Sequence, residues 1–322
     1  MNSSTTAPKE AAPSHAPAPA AAWAAAAHPA PGVFRVRPLP GEATASYLTR
    51  LAHTWRLPLP DLLDGLGIHL ATGPGSADGT TPSAELHLNT AGQQRLSAHA
   101  RIPHPHLLRA LPRLSPPDRT GTAEALTGPP AAHWQPTPPA LQPFRACTTC
   151  VQHRSHGTAT TAWAYPPAHT PLICTRHQQA GADPRHTTPL DIRTLPELTH
   201  AHQRLTRPTT TPTALTWAAT ITTRWYDHHQ HLNQRWQTRL ARLTAANPHT
   251  RHHGTASPTL TCRTLVTYPE TLTLAAALTH IPPHGLTRTD QTRFLQHLAN
   301  KMGLPRLAPA THDPLWARLH RH

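Results

Sequence analysis

Apolar residues between Phe34 and Leu111 recur in short bursts of helical spacing. Leu48, Leu51, Ala52 and Trp55 share one face and predict a helix, entered through the extended segment Arg37-Pro38-Leu39-Pro40-Gly41-Glu42 and ended by Pro58. A second helix begins at Leu59-Pro60-Asp61-Leu62-Leu63 and stops at Gly65 and Gly67, before a polar loop with Gly73, Gly75 and Gly79. The pattern restarts near Thr90. Leu96 and Ala98 mark a short helix, Pro103 breaks it, and Leu107, Leu108 and Leu111 mark another over 106–111. Helix, tight turn, helix is the layout of a helix-turn-helix. It is equally the layout of a small helical bundle.

Residues 115–143 are rich in Pro, Thr and Ala and read as a linker. Trp163 and Tyr165, set among Ala162 and Ala164, predict a short strand, and Leu172-Ile173 predicts another. A helix is expected to start at Pro196, since proline suits a first helical position. A Pro/Thr break covers 207–213. The longest helix is expected over 215–243. Its apolar stripe is Trp225, Leu232, Trp236, Leu240 and Leu243; Arg224, His228, His231, Arg235, Arg239 and Arg242 fall on the other side. Tyr268-Pro269-Glu270 reads as the opening of a further helix, with Leu272, Leu274, Ala275 and Leu278 apolar. A last one covers 289–299 around Phe294, Leu295 and Leu298. The expected fold is mainly α: a disordered Ala/Pro-rich tail (1–32), a helical, helix-turn-helix-like domain (33–114), the linker (115–143), a small zinc-knuckle domain (144–206) and a helical C-terminal domain (207–322).

The knuckle rests on Cys147-Thr148-Thr149-Cys150 and, 24 positions after Cys150, Cys174-Thr175-Arg176-His177. Zinc prefers four tetrahedral thiolate or imidazole ligands, and a pair two residues apart wraps one side of it. Cys147, Cys150, Cys174 and His177 therefore form a Cys3His set for one structural zinc, which leaves out Cys262 alone among the four cysteines. A redox pair calls for a strand-to-helix turn that 143–146 does not suggest, and a disulfide framework needs more cysteines in a chain of this length. Four ligands close the site, which argues against catalytic zinc. Asp227 and His231, four apart among clustered histidines, are a weaker metal pair, because 28 of 322 residues are His.

Charge adds a partner. Twenty-nine basic against 15 acidic residues give +14, which favours a polyanion, double-stranded DNA first. Arg50, Arg109, Arg224, Arg235, Arg239 and Arg242 are the candidate phosphate contacts. No run of about 18 apolar residues occurs, so no membrane span is expected; reduced cysteines and no export signal point to the cytoplasm. No P-loop, GxSxG, HExxH or paired-carboxylate motif occurs, so no catalytic residue and no enzyme activity are expected.

Pro38-Leu39-Pro40-Gly41-Glu42, continuing to Ser46-Tyr47-Leu48 and Arg50-Leu51-Ala52, resembles the opening of TniQ-family proteins. The cysteine pattern with Trp163 between its pairs is similar to that family's knuckle, and Leu190-Asp191 through Leu198 to Ala201-His202 resembles the following segment of actinobacterial members. The resemblance implies a non-catalytic accessory protein that helps direct a transposase, or a AAA+ transposition ATPase, to its insertion site. It also implies helix-turn-helix character near the N-terminus and zinc on Cys147, Cys150, Cys174 and His177. Thr148 stands where the family usually has proline, and no second cysteine cluster follows. A stand-alone zinc-knuckle transcription regulator or interaction scaffold is the alternative on the same residues.

Overall fold

A computed structural model describes residues 35–71, 82–115, 128–205, 211–251, 257–282 and 284–320. The expected disordered tail, the Gly73–Gly79 loop, residues 116–127 of the expected linker and 207–210 of the Pro/Thr break lie outside them.

The short apolar bursts become α1 (Thr44–Trp55), α2 (Leu59–Gly65), α3 (Thr90–Ala100) and α4 (His104–Ala110). Leu48, Leu51, Leu62, Leu63, Leu96 and Leu107 meet in one core. That core also holds a sheet the helical reading did not contain. Its strands are β1 (His69–Ala71), β2 (Ala84–Leu88) and β3 (Ala131–Pro136), in the order β1-β3-β2, with β1 parallel and β2 antiparallel to β3. The central strand therefore comes from the stretch expected as linker. Its period-two signal is carried by Ala132 and Trp134 alone, which face the core.

The middle of the chain contains two small sheets. β4 (Phe144–Arg145) pairs with β5 (Trp163–Ala164); β6 (Leu172–Cys174), β7 (Gln179–Gly181) and β8 (Leu190–Asp191) form an antiparallel sheet. α5 (Thr148–Arg154) follows β4. The two sheets approach so closely that a Cβ on Gly181 would lie 2.5 Å from the Arg145 carbonyl oxygen. Ala146, Val151, Ala162 and Ala164 form a small core beside Leu39. Ile173, Ala180, Leu190 and Ile192 belong instead to the core of the C-terminal helices.

Those helices are α6 (Pro196–Leu205), α7 (Pro212–Asp227), α8 (Asn233–Ala246), α9 (Pro258–Thr261), α10 (Arg263–Thr279), α11 (Arg288–Met302) and α12 (Pro314–Leu319). The long helix expected over 215–243 is thus two helices. α7 ends in a Schellman motif: His229 is left-handed (φ 53°), its amide donates to the Tyr226 carbonyl, and the Gln230 amide donates to the Trp225 carbonyl. Histidine at a position usually held by glycine hides this stop from a sequence reading. The apolar stripe survives the break, because Trp225, Leu232, Trp236, Leu240 and Leu243 are all buried. Pro269 does not open α10 but lies inside it. Proline supplies no amide to the turn before it, and in that turn the Arg239 guanidinium donates to the Val266 carbonyl.

Candidate metal centre

β4 delivers the chain to Cys147, the residue that precedes α5, and the first turn of α5 carries Cys150. The other pair comes from a hairpin: β6 ends on Cys174, and His177 lies in the turn before β7. The turn requires Gln178 at φ 50°. A hydrogen bond from the Thr148 amide to Gln179 Oε1 (3.0 Å) fixes the start of α5 against this hairpin.

The four donor atoms lie within 4.8 Å of one another. His177 Nδ1 is 3.4 Å from Cys147 Sγ, 3.3 Å from Cys150 Sγ and 3.6 Å from Cys174 Sγ; Cys150 and Cys174 Sγ are 3.7 Å apart. A tetrahedron with Zn–S about 2.3 Å and Zn–N about 2.05 Å has S···S edges of about 3.8 Å and S···N edges of about 3.6 Å. These four edges fit it to within a few tenths of an ångström, and the two edges from Cys147 Sγ to the other sulfurs stay within 4.8 Å. A disulfide would need about 2.05 Å, so the 3.7 Å separation excludes one, and all four cysteines are free.

Backbone geometry supports charge on the sulfurs. The Cys150 amide donates to Cys147 Sγ, and the His177 amide to Cys174 Sγ. The three sulfurs do not ionise alike. Cys174 is pulled down to about 4, first by the hydrogen bond from the Cys147 thiol, while that bond holds Cys147 up. Burial holds Cys150 up. Sulfurs this close sustain few negative charges unaided, and a divalent cation among them favours thiolates throughout. Cys147, Cys150, Cys174 and His177 are thus fitted to hold one metal ion. Four protein ligands leave no open position, so its chemistry is that of a cross-link.

The other expected site residues separate into two groups. Arg50 is not a surface cation. Its side chain is 2 % exposed and donates through Nε and Nη2 to the Glu42 carboxylate, itself fully buried. Arg239 is likewise buried, bonded to Glu270, with Glu197 beyond. Arg235 donates to the Met302 carbonyl, and Arg242 to Glu197 and the Thr194 carbonyl. The expected basic face of α8 is therefore a packing network that ties α8 to α6, α10 and the end of α11. The side chains of Arg109 and Arg224 remain exposed, with no hydrogen bond or ion pair among the described residues. The weaker metal pair is not assembled. Asp227 pairs with Arg263, and His231 sits against Trp225 with Asp313 4.0 Å away.

The sequence reading assigned no role to Glu85. This carboxylate is buried on β2, where it accepts from the Ala45 amide at the start of α1 and from Tyr165 Oη (2.7 Å). Burial pushes it above the ordinary carboxylate value. Arg113 stacks on the other side of the link, 4.7 Å from the Tyr165 ring centroid. Glu42 and Glu85 together seat the N-terminal unit on β5. The Ala43 amide donates to the Trp163 carbonyl, and the Tyr165 amide to that of Gly41, where a Cβ would meet the Tyr165 oxygen at 2.6 Å.

Among the described residues, no helix is long and apolar enough to cross a membrane. Comparison with curated proteins and with solved structures finds no match. The TniQ family model matches residues 33–180, a span that runs from the Pro38–Glu42 entry through all four candidate metal ligands. That match assigns residues 33–180, a little under half of the chain, to the TniQ family.

Proposed function

We propose that this protein is a zinc-containing, DNA-binding accessory of transposition that helps select the insertion site without itself performing strand transfer. Family membership supports the transposition-associated role. The observation that carries the finer reading is the Cys3His tetrahedron inside the matched segment, whose edges suit zinc. The charge of +14 supports a nucleic-acid partner, and a transposase or AAA+ ATPase is the protein partner that fits. Zinc would be held by Cys147, Cys150, Cys174 and His177 and would act by holding the fold together.

The test is elemental analysis of the purified chain joined to co-purification with its transposase or ATPase. About one zinc per chain is expected, lost with unfolding around residues 144–182 in Cys174→Ser. Metal-free protein that stays folded would overturn the structural-zinc reading. A specific duplex footprint with no transposition partner retained would replace the accessory role with that of a stand-alone regulator.

A further inference from the structure

We propose that α3, α4 and the turn between them form a docking face for duplex DNA, with Arg101, Arg109 and Arg113 as its phosphate contacts; the inference rests on the DNA-binding part of the proposed function. No Asp or Glu occurs from Leu86 to Ser115, while Arg95, Arg101, Arg109 and Arg113 do. Among the described residues of the same unit, the exposed acids are Asp61 and Asp64, both on α2. Glu85, at the edge of the acid-free span, is buried and bonded.

The geometry presents these charges outward. Arg101 caps α3 in the left-handed conformation (φ 53°) and stands at the turn before α4. Ile102 beside it is buried and pins the turn. α4 turns Leu107 into the core, as does Leu111 just beyond it, and leaves His106, Leu108 and Arg109 exposed. The side chains of Arg101 and Arg109 make no hydrogen bond or ion pair among the described residues. Arg113 is held over Tyr165, which orders its guanidinium without neutralising it. This is the contrast with α8, where each arginine is tied to a carboxylate or a carbonyl.

A seven-residue helix is about 10 Å long and, with side chains, about 10–12 Å across, which the major groove of about 12 Å admits. Phosphates are the matching chemistry for guanidinium groups that no carboxylate pairs, as at Arg101, Arg109 and Arg113.

The test compares three full-length, zinc-loaded proteins on a 30-base-pair mixed-sequence duplex by fluorescence anisotropy across a salt series. One is wild type, one is R101Q/R109Q/R113Q, and one is R288Q/K301Q/R306Q, which removes the same charge from exposed positions of the C-terminal helices. Each lost phosphate contact lowers the slope of log affinity against log salt by about 0.9. The first variant is expected to lose about 2–3 of slope and the control less than about 1. If the first variant folds poorly, R109Q alone serves, with an expected loss of about 0.9. Equal slopes for the two triple variants, with wild type binding, would overturn this face and leave DNA binding standing. No duplex binding by wild type would overturn both. A loss seen on RNA or on an acidic protein but not on duplex DNA would also overturn the proposal.

Discussion

Replacing Glu42 by glutamine tests whether the Pro38–Glu42 entry is a structural joint. The carboxylate accepts four hydrogen bonds: from the Leu39 amide at 2.8 Å, Ser46 Oγ at 3.2 Å, Arg50 Nε at 2.7 Å and Arg50 Nη2 at 2.8 Å. Glutamine keeps the shape but carries no charge, and its amide nitrogen cannot accept. A guanidinium 2 % exposed is then left without a counter-ion. Breaking one side of a buried pair costs about 3–5 kcal/mol. At about 1.4 kcal/mol per decade, amide-exchange protection in α1 should fall by roughly two to three orders of magnitude. Hydrogen-exchange mass spectrometry reads this locally, with α10 as an internal reference that should not move. Glu42→Gln combined with Arg50→Met should be more stable than Glu42→Gln alone, because no lone charge remains buried. A loss below about 1 kcal/mol in the single variant, the range of an exposed pair, would refute the reasoning.

Two further outcomes follow from other parts of the fold. Burial holds His87, His202 and His231 below the ordinary histidine value of 6.5. They contribute full stability above that value and lose it as pH falls through their lower folded values, because the unfolded chain takes up the protons first. The urea midpoint should drop between pH 7.5 and 5.5, and by less in His202→Gln; identical pH slopes in the two proteins would count against it. His229→Gly should raise stability by about 1 kcal/mol in urea unfolding, since glycine adopts the left-handed cap without steric cost. Unchanged or lowered stability would show that the histidine side chain compensates there.

That Cys147, Cys150, Cys174 and His177 come together was legible from spacing: two pairs, each with two residues between, at the start of α5 and on a hairpin. The helices were legible where leucines recur at three and four. Three features were hidden. β3 draws its core face from one alanine and one tryptophan, too little alternation to outweigh the prolines around it. Helix ends were hidden because Arg56, Arg101 and His229 take left-handed caps, so no glycine announces the stop. A basic residue is electrostatically suited to a helix C-terminus, which offsets part of the conformational cost. The arginines were misread for a different reason. Net charge offered Arg50, and helix periodicity Arg239, as phosphate contacts, but each faces a buried glutamate, 8 residues away for Arg50 and 31 for Arg239. A one-dimensional pattern has no access to that partner.

The metal centre draws its consequence from what stands on either side of it. Cys147 and Cys150 follow β4, whose partner β5 bonds to Ala43 and Gly41 of the N-terminal unit. Cys174 and His177 belong to the β6–β7 hairpin, whose Ile173 and Ala180 enter the core of the C-terminal helices. One ion across these pairs would reinforce the contact of β4 and α5 with this hairpin, which the close approach of Gly181 to Arg145 and the Thr148–Gln179 hydrogen bond already make. The small core there is mostly alanine. At about 25 cal/mol per Å2 of apolar surface, side chains that small bury little free energy. A metal cross-link would supply it instead, as expected for a knuckle too small to fold on its own apolar contacts. Loss of the ion should unfold the segment around residues 144–182, stripping Ile173 and Ala180 from the edge of the C-terminal core while its helix–helix contacts and the Leu48–Leu63 core of the N-terminal unit remain. The N-terminal unit keeps its own seat on β5 through Glu42, Glu85 and the backbone bonds of Gly41 and Ala43, so the ion's task would be to hold β4 and α5 to the β6–β7 hairpin.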